Sequence, residues 1–431
     1  MKLLSDLEHL IQLLRRQNKF TTGFVWNLAS LAVLAVSGLL INVVIGRVCG
    51  AADLGVFNQV FAIYIIAGQF AVGGLQFAVL KHIPQYRDDR AACNRIISAS
   101  IYLTLVIGLT VASIVFILAG PLGVLLGSQD VAKGIPFACP AIVCFSLNKV
   151  LLAAVNGYRK MRAFAIFQAL RYILMVMFLL LAMILQTPGY SLIYIVSGAE
   201  FIVTMCAGIY VFKLNKPVSP WNCISWIKEL AAYGFMAFPG GAFLEINSRV
   251  DIIILGIFQT DQIVGIYSLA ALLVEGVSLV TVALLVNINP IITATYFRND
   301  RREFNALITD TIKYSYIMMT MLAILSCAVY PLFITIFMSS FMDSWPLFCI
   351  LMVGLTASAG YFPLRILFSQ TGHPGLQTLF FSLVLISNII LNLALVPPFG
   401  MYGAALATGI AYLLTSIYLK LIARYAMLLY I

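Results

Sequence analysis

The stretch YGFMAFPGGAFLEINSRVDIIILGIF, residues Tyr233–Phe258, is long and apolar enough to cross a membrane, yet it contains Glu245, Arg249 and Asp251. A charged side chain near the bilayer centre is unfavourable by about 2.5–3.5 kcal/mol on insertion scales, so three in one span need a reason. Arg249 follows Glu245 by four residues, which places both on one face of an α-helix. The pattern predicts either a Glu245–Arg249 ion pair or a polar cavity beside this span.

The rest of the chain is as apolar as this stretch. Of its 431 residues, 62% are hydrophobic and 10% are charged, and the mean hydropathy is +1.02. A soluble protein of this composition has too few polar residues to cover its surface, whereas a bilayer removes that need. The composition therefore predicts an all-α integral membrane protein.

Apolar segments of about 20 residues, the length that spans a bilayer as a helix, recur along the whole chain. We predict twelve transmembrane helices in two groups of six. The predicted spans are 22–45, 56–80, 96–119, 134–155, 163–185, 190–212, 233–258, 262–288, 313–337, 346–368, 376–396 and 402–423.

The basic residues indicate the orientation of these spans. Most of the 26 Lys and Arg residues, Arg365 among them, fall in loops on the side of the N-terminus. Only Arg47 and Lys133 fall on the opposite side. Cytoplasmic loops carry such an excess, so both termini are predicted to be cytoplasmic. The net charge of +10 is thus explained by membrane orientation and does not indicate a nucleic-acid partner.

The second half of the chain partly repeats the first at an offset of about 210 residues. Ile45–Ala62 parallels Leu255–Leu272, which aligns Gly55 with Gly265. Six spans in each half put both repeats in the same orientation, as in transporters built from two helical bundles. We therefore expect two six-helix bundles related by a parallel repeat, with the substrate held between them.

The predicted domains follow from the repeat and the charge pattern. Residues 21–212 form the N-terminal six-helix bundle, residues 213–232 a cytoplasmic linker, and residues 233–431 the C-terminal six-helix bundle. In residues 1–20, apolar residues at helical spacing precede a basic end, as in an amphipathic helix at a membrane surface. A basic flank that orients the first span is the alternative interpretation.

Several of these segments resemble the polysaccharide transport family, whose members include O-antigen flippases. The resemblance lies in GRVCGAADLGVFNQVFAI from Gly46, NRIISASIYLTL from Asn94, NGYRKMRAFAIFQALRYIL from Asn156, SRVDIIILGIFQTDQIVGIYSLA from Ser248 and LNLALVPPFGMYGAALATGIAYLL from Leu391. The family belongs to the multidrug/oligosaccharidyl-lipid/polysaccharide flippase superfamily.

The resemblance implies a twelve-helix transporter of the bacterial inner membrane. Such a flippase moves undecaprenyl-diphosphate-linked oligosaccharide, an O-antigen repeat unit of lipopolysaccharide or an exopolysaccharide unit, from the cytoplasmic to the periplasmic leaflet. The implied partners are the lipid-linked oligosaccharide, membrane lipids and the polysaccharide polymerase and chain-length machinery. The family has no sharp catalytic motif, and the sugar is not readable from the resemblance.

Charges inside the spans are the candidate site residues. Phosphate recognition suits guanidinium forks and ammonium groups, so Lys149, Arg171 and Arg249 are candidates to bind a diphosphate in a cavity between the bundles. The alternative is that Arg171 or Lys149 forms a buried ion pair with Glu200 that only positions helices.

The acidic residues within the spans are candidates for ion coupling or charge balance. A carboxylate in a low-dielectric cavity can bind and release a cation during transport, and the coupling ion would be H+ or Na+. These residues are Glu200, Glu245, Asp251 and Glu275. We expect no cofactor and no metal site, because the eight cysteines occur singly and the chain has only three histidines.

Two other functions are compatible with a polytopic membrane protein. A cation-coupled multidrug exporter of the same superfamily would share the fold, although the basic residues of the first half favour an anionic substrate. A membrane glycan polymerase or ligase resembles a different pattern, with a large periplasmic loop rich in essential arginines. Here the predicted periplasmic loops are short and hold only Arg47 and Lys133, so we expect a transporter and no enzyme.

Overall fold

The protein is an all-α assembly in the computed structural model, which describes Trp26, residues 29–298 and residues 301–427. No β-strand occurs among these residues. The helices are α1 Ala29–Val48, α2 Ala51–Val72, α3 Leu75–Gln85, α4 Arg90–Ile117, α5 Ala119–Leu125, α6 Gln129–Gly157, α7 Met161–Ile184, α8 Tyr194–Leu214, α9 Ile224–Asn247, α10 Val250–Phe258, α11 Asp261–Phe297, α12 Arg301–Phe337, α13 Ser344–Ser358, α14 Leu367–Gln370 and α15 Pro374–Met427.

The described helices match the predicted spans in order. Within the described residues, nine helices are long and apolar enough to cross a membrane. Three predicted spans are each built from two helices separated by a break: the second (α2 and α3), the seventh (α9 and α10) and the tenth (α13 and α14). The last two spans lie in α15, where Gly400 interrupts the helical backbone with φ 56° and ψ −132°. The expected all-α membrane fold is confirmed.

Local sequence explains where several helices begin and break. Asp89 and Ser128 precede α4 and α6, and each side chain accepts a hydrogen bond from a backbone N–H of the first turn. Such N-caps satisfy donors that have no partner within the helix. Between α2 and α3, Gly73 and Gly74 both have positive φ (54° and 74°), a backbone conformation that favours glycine.

The predicted linker 213–232 overlaps the start of a helix. Helix α9 begins at Ile224, after a 3₁₀ turn at Pro220–Cys223, so part of the predicted linker 213–232 belongs to the first helix of the second half. The predicted interfacial helix, residues 1–20, lies outside the described residues.

The two halves contact each other through the aligned glycines of the repeat. A Cβ atom on Gly55 of α2 would overlap the Asp261 carbonyl oxygen, and one on Gly265 of α11 would overlap the Ala51 carbonyl oxygen. Both glycines are required because the backbones touch. The two contacts are related by the repeat offset, since Asp261 and Ala51 each precede the neighbouring glycine by four residues. This seam lies at the ends of α2 and α11 that we predict to be periplasmic.

A second contact between the halves lies at the predicted cytoplasmic end. A Cβ atom on Gly74, at the start of α3, would overlap the carbonyl oxygen of Gly234 in α9. The two halves therefore touch at the predicted periplasmic end and again at the predicted cytoplasmic end. Charged side chains lie in the interior between these two contacts.

Candidate functional site

The backbone turns within the seventh predicted span, next to its charged residues. Helix α9 ends at Asn247, and Arg249 has φ −130° and ψ −8°, outside helical geometry. The four-residue spacing therefore no longer places Glu245 and Arg249 one helical turn apart. The Glu245–Arg249 ion pair, which the sequence offers as the alternative to a polar cavity, is wrong: the Arg249 guanidinium pairs with Glu275.

Arg249 binds Glu275, which lies on α11. Its Nη2 atom donates to both carboxylate oxygens of Glu275, at 3.4 and 3.2 Å. The guanidinium also lies over the ring of Phe61, 5.6 Å from the ring centre. Arg249 thus connects the break in the seventh span to a helix of each half of the protein.

Asp251 is the most enclosed charged residue of this region, with 6% of its surface exposed. Its carboxylate accepts hydrogen bonds from the Ile252 backbone N–H (2.9 Å) and the Tyr267 hydroxyl. The Tyr267 hydroxyl lies 3.3 Å from that of Thr408 in α15. Hydrogen bonds to the carboxylate offset part of the penalty of burying its charge. Through Tyr267 and Thr408, the position of Asp251 on α10 is tied to α11 and α15.

These residues line a cavity of about 290 Å³. Four of the predicted site residues are in its wall: Glu245, Arg249, Asp251 and Glu275. Most of the remaining wall comes from the second half of the chain, and Asn58 is the first-half residue among the lining. The cavity is therefore built mainly by the C-terminal bundle and closed by α2 of the other bundle.

Arg365 also lines this cavity and was not among the predicted site residues. Sequence reasoning counted it with the cytoplasmic loops, because it lies near the end of the tenth predicted span. That span breaks into a 3₁₀ turn at Phe362–Leu364 and the short helix α14, and the break turns Arg365 into the interior. The sequence signal that could have identified Arg365 is Pro363, because a proline inside an apolar segment interrupts a helix.

The predicted residues of the first half form a separate network. The Nε atom of Arg171 lies 3.0 Å from Glu200, and the side chains are 10% and 1% exposed. Glu200 also accepts hydrogen bonds from the hydroxyl of Tyr64 (2.8 Å) and the amide of Asn148 (2.6 Å). This arrangement agrees with the ion-pair alternative for Arg171 and Glu200, and neither residue lines the cavity.

Lys149 lies beside this network without joining it. Its ammonium is 5.1 Å from the centre of the Phe145 ring, and the Arg171 guanidinium is 5.8 Å from the same ring. The half-buried Lys149 forms no ion pair with a carboxylate of the described residues and does not line the cavity. Cations over aromatic rings gain electrostatic stabilisation from the ring face.

A row of aromatic rings joins the two groups of charges. Phe61 lies 5.5 Å from Tyr64, and Tyr64 lies 5.4 Å from Phe145, measured between ring centres. Arg249 is at one end of the row, and Lys149 and Arg171 are at the other. The structure thus brings the predicted site residues into one interior region but divides them between an open cavity and a closed network.

In comparisons with known proteins, the fold of this chain is similar to the folds of membrane transporters. The family model described as polysaccharide biosynthesis protein matches residues 20–297. A search among curated proteins by sequence returns no match. Several solved structures are similar over nearly the whole chain.

One similar structure is that of the lipid II flippase MurJ in an inward closed conformation, with 17% identity and a TM-score of 0.75 over 94% of this chain and 88% of that chain. A second is a multidrug resistance MATE family transporter of the MOP superfamily in an inward-facing conformation, with 12% identity and a TM-score of 0.75 over 94% and 98%. A third, a MOP superfamily transporter from Pyrococcus furiosus, has 13% identity and a TM-score of 0.65 over 95% and 94%. At these identities the likeness establishes a shared fold.

Proposed function

The chain belongs to the polysaccharide biosynthesis protein family, as its sequence resemblance predicted, and on that premise we propose that it is a membrane flippase for lipid-linked oligosaccharides. The substrate is an undecaprenyl-diphosphate-linked O-antigen or exopolysaccharide repeat unit, moved from the cytoplasmic to the periplasmic leaflet. Lipid II flippase is the name of a structurally similar protein, and this likeness supports a lipid-linked substrate for the present chain.

The observation that carries the proposal is the cavity of about 290 Å³ lined by Arg249, Glu275, Asp251 and Glu245. Charged side chains inside a membrane protein are unfavourable unless they pair or face water, so a charged cavity needs a polar occupant. A sugar head group supplies hydroxyls for the carboxylates and amides, and a diphosphate supplies charge for the guanidinium groups.

The seams between the halves support transport by alternating access. The Gly55–Gly265 seam lies at the predicted periplasmic end, and the Gly74–Gly234 contact lies at the predicted cytoplasmic end. In the proposed cycle these contacts separate one at a time, so that the cavity opens first to the cytoplasm and then to the periplasm. The polyprenyl tail stays in the lipid while the head group crosses.

The cationic residues take different roles in this proposal. Arg249 contacts the diphosphate from the cavity wall, and its partner Glu275 sets its position. Lys149 lies outside the cavity lining but forms no ion pair within the described residues, so it is a second contact, from the first half, when the contacts between the halves separate. Arg171 assists mainly by holding Glu200 in place.

We further propose that transport is coupled to an H+ or Na+ gradient through the acidic residues. Asp251 is the best placed of them, since it is buried on α10 and bonded to Tyr267 of α11, whose hydroxyl in turn contacts Thr408 of α15. Glu245 and Glu275 line the same space, whereas Glu200 is held within the first-half network. A cation bound at Asp251 would change the contacts among these helices and so favour one state.

The proposed setting is the bacterial inner membrane, with both termini in the cytoplasm. The partners are membrane lipids and the polymerase and chain-length machinery that uses the translocated units. We propose no enzymatic activity, no cofactor and no nucleic-acid partner.

The carboxylates of the cavity also suit a second candidate function, a cation-coupled multidrug exporter. Glu245, Asp251 and Glu275 together would attract a cationic drug, although Arg249 and Arg365 in the same wall oppose it. The structural similarity to a multidrug resistance transporter does not favour this function over the first, because it rests on 12% identity.

Deletion of the gene followed by lipid analysis distinguishes these functions. A flippase deletion is expected to accumulate lipid-linked repeat units on the cytoplasmic leaflet and to reduce surface glycan. Unchanged surface glycan together with altered drug tolerance would contradict the flippase and favour the exporter. Complementation by the wild-type gene and by an Arg249→Gln variant separates loss of the site from loss of the protein.

A further inference from the structure

We propose that Arg365 is a further anion-recognising residue of the cavity, in addition to Arg249, and that it takes an oxyanion of the transported head group. The inference rests on the proposed flippase function and adds to it a residue and a charge on the substrate. The oxyanion is a phosphate oxygen of the lipid diphosphate or a carboxylate oxygen of an acidic sugar in the repeat unit.

The backbone around Arg365 is fixed by the buried side chain of Gln377. The amide Nε2 of Gln377 donates to the Arg365 carbonyl oxygen at 2.7 Å, and its Oε1 accepts from the Ser369 backbone N–H at 3.2 Å. Gln377 is 3% exposed, so it replaces water as the partner of backbone groups that the helix break leaves without an intrahelical bond. The break in the tenth span is thus a well-defined structure with satisfied backbone groups, and not a frayed helix end.

The Arg365 guanidinium is held in position by an aromatic ring, but no carboxylate in the described part of the chain pairs with it. It lies over the Phe362 ring, 4.4 Å from the ring centre, and its Nε is buried without a hydrogen-bond partner. No carboxylate of the described residues lies within 4.0 Å of it. Arg365 is half-buried, and a guanidinium with a buried, unpaired Nε and no described carboxylate at ion-pair distance offers a place for a ligand that supplies an anion.

The other charges of the cavity already have partners, with one exception. Arg249 is paired with Glu275, and Asp251 accepts two hydrogen bonds from Ile252 and Tyr267. Glu245 is the exception: it is exposed to the cavity and forms no ion pair within 4.0 Å among the described residues, and it interacts with Arg365 and Arg249 only at longer range. An anion at Arg365 would therefore be attracted by this guanidinium and repelled by the Glu245 carboxylate that interacts with it.

Because Arg365 and Glu245 have opposite charges, substitutions of the two residues are expected to change anion affinity in opposite directions. Arg365→Gln removes the charge-assisted hydrogen bonds, and we expect the affinity for an oxyanion to fall about tenfold or more. Arg365→Lys keeps the charge and loses the planar fork, so its loss is smaller. Glu245→Gln removes the repulsion and is expected to strengthen binding. A residue that only held the helix break would not produce this pattern of signs.

Binding to the purified full-length protein in lipid nanodiscs tests the inference. The probes are undecaprenyl diphosphate without sugar and free glucuronate, which represent the two sources of the oxyanion. Arg302→Gln is the matched control, because Arg302 is exposed on α12 and does not line the cavity. Thermal unfolding of each variant shows that the protein remains folded.

The outcomes separate the sources and the proposals. Weaker binding of undecaprenyl diphosphate by Arg365→Gln supports the inference and identifies the lipid diphosphate; weaker binding of glucuronate alone supports it and identifies an acidic sugar. Unchanged affinity for both probes, or no binding of either by the wild type, overturns the inference. Translocation of a lipid-linked oligosaccharide by wild-type protein in vesicles is measured alongside, and its absence overturns the flippase proposal independently of the role of Arg365.

Discussion

Each half of the protein holds an interior arginine–glutamate pair, and the two pairs have different surroundings. In the first half, Glu200 receives Arg171 together with hydrogen bonds from Tyr64 and Asn148, and its side chain is 1% exposed. In the second half, the Glu275 side chain that receives Arg249 is 48% exposed and faces the cavity. The first pair is enclosed by its protein partners and does not line the cavity.

The two pairs differ in how far they are enclosed by the protein. Breaking a fully buried ion pair leaves one charge uncompensated, whereas a pair at a cavity wall can exchange its partner for water or substrate. We therefore assign stability to the Arg171–Glu200 pair and substrate handling to the Arg249–Glu275 pair.

The largest expected effect is on stability in the first half. Glu200→Ala leaves the buried Arg171 without a counter-charge and is expected to lower the free energy of unfolding by about 3–5 kcal/mol. Unfolding in mixed detergent micelles measures it. Glu275→Ala is the matched control, and its loss is expected to be much smaller because Glu275 is half exposed. Equal losses for the two variants would contradict the division.

The next effect is on transport in the second half. Arg249→Gln leaves Glu275 without its partner, so the cavity wall becomes more negative and repels a diphosphate. We expect the translocation rate in vesicles to fall about tenfold, which corresponds to about 1.4 kcal/mol in the barrier, with little change in unfolding. A rate equal to that of the exposed-surface control Arg302→Gln would show that Arg249 does not handle substrate.

A third effect distinguishes coupling of transport to an ion gradient from binding of the substrate. Asp251→Asn keeps the size of the side chain but removes the charge that a proton or sodium ion would bind, so transport is expected to lose its response to an imposed gradient. The same gradients applied to Glu200→Gln are the comparison, because Glu200 lies outside the cavity lining. An Asp251→Asn protein that retains its full gradient response would exclude Asp251 as the coupling site.

The smallest effect concerns one hydrogen bond of the first-half network. Tyr64→Phe removes the hydroxyl that donates to Glu200 at 2.8 Å, and the expected loss of stability is about 1 kcal/mol. Transport per folded molecule should stay unchanged. A fall in the transport rate with normal stability would mean that the first-half network takes part in substrate handling.

The sequence predicted the membrane class, the spans and the repeat, because hydropathy and charge asymmetry follow directly from the solvent that each segment meets. The mutual contact of Gly55 and Gly265 shows why the aligned glycines occur where they do. These features depend on local composition, so they can be recognised without coordinates.

The pairing of charges was not predictable in the same way. Glu245 and Arg249 have ideal helical spacing, but the turn at Ser248–Arg249 separates them and sends Arg249 to Glu275 on another helix. Sequence position places Arg365 with the cytoplasmic loops, whereas the break in the tenth span, where Gln377 of α15 binds the Arg365 carbonyl oxygen, brings this arginine to the cavity. Both errors come from tertiary contacts that override local periodicity, and both occur in the residues that form the cavity.

Photo-crosslinking tests most directly whether the head group occupies the second-half cavity. A benzoylphenylalanine residue replaces Ser278, which lines the cavity, or Thr110, which is exposed on α4 of the first half. In membranes loaded with undecaprenyl-diphosphate-linked oligosaccharide, we predict cross-linking of the sugar from position 278 and not from position 110. Absence of a cross-link from position 278, or equal labelling from both positions, would contradict the account.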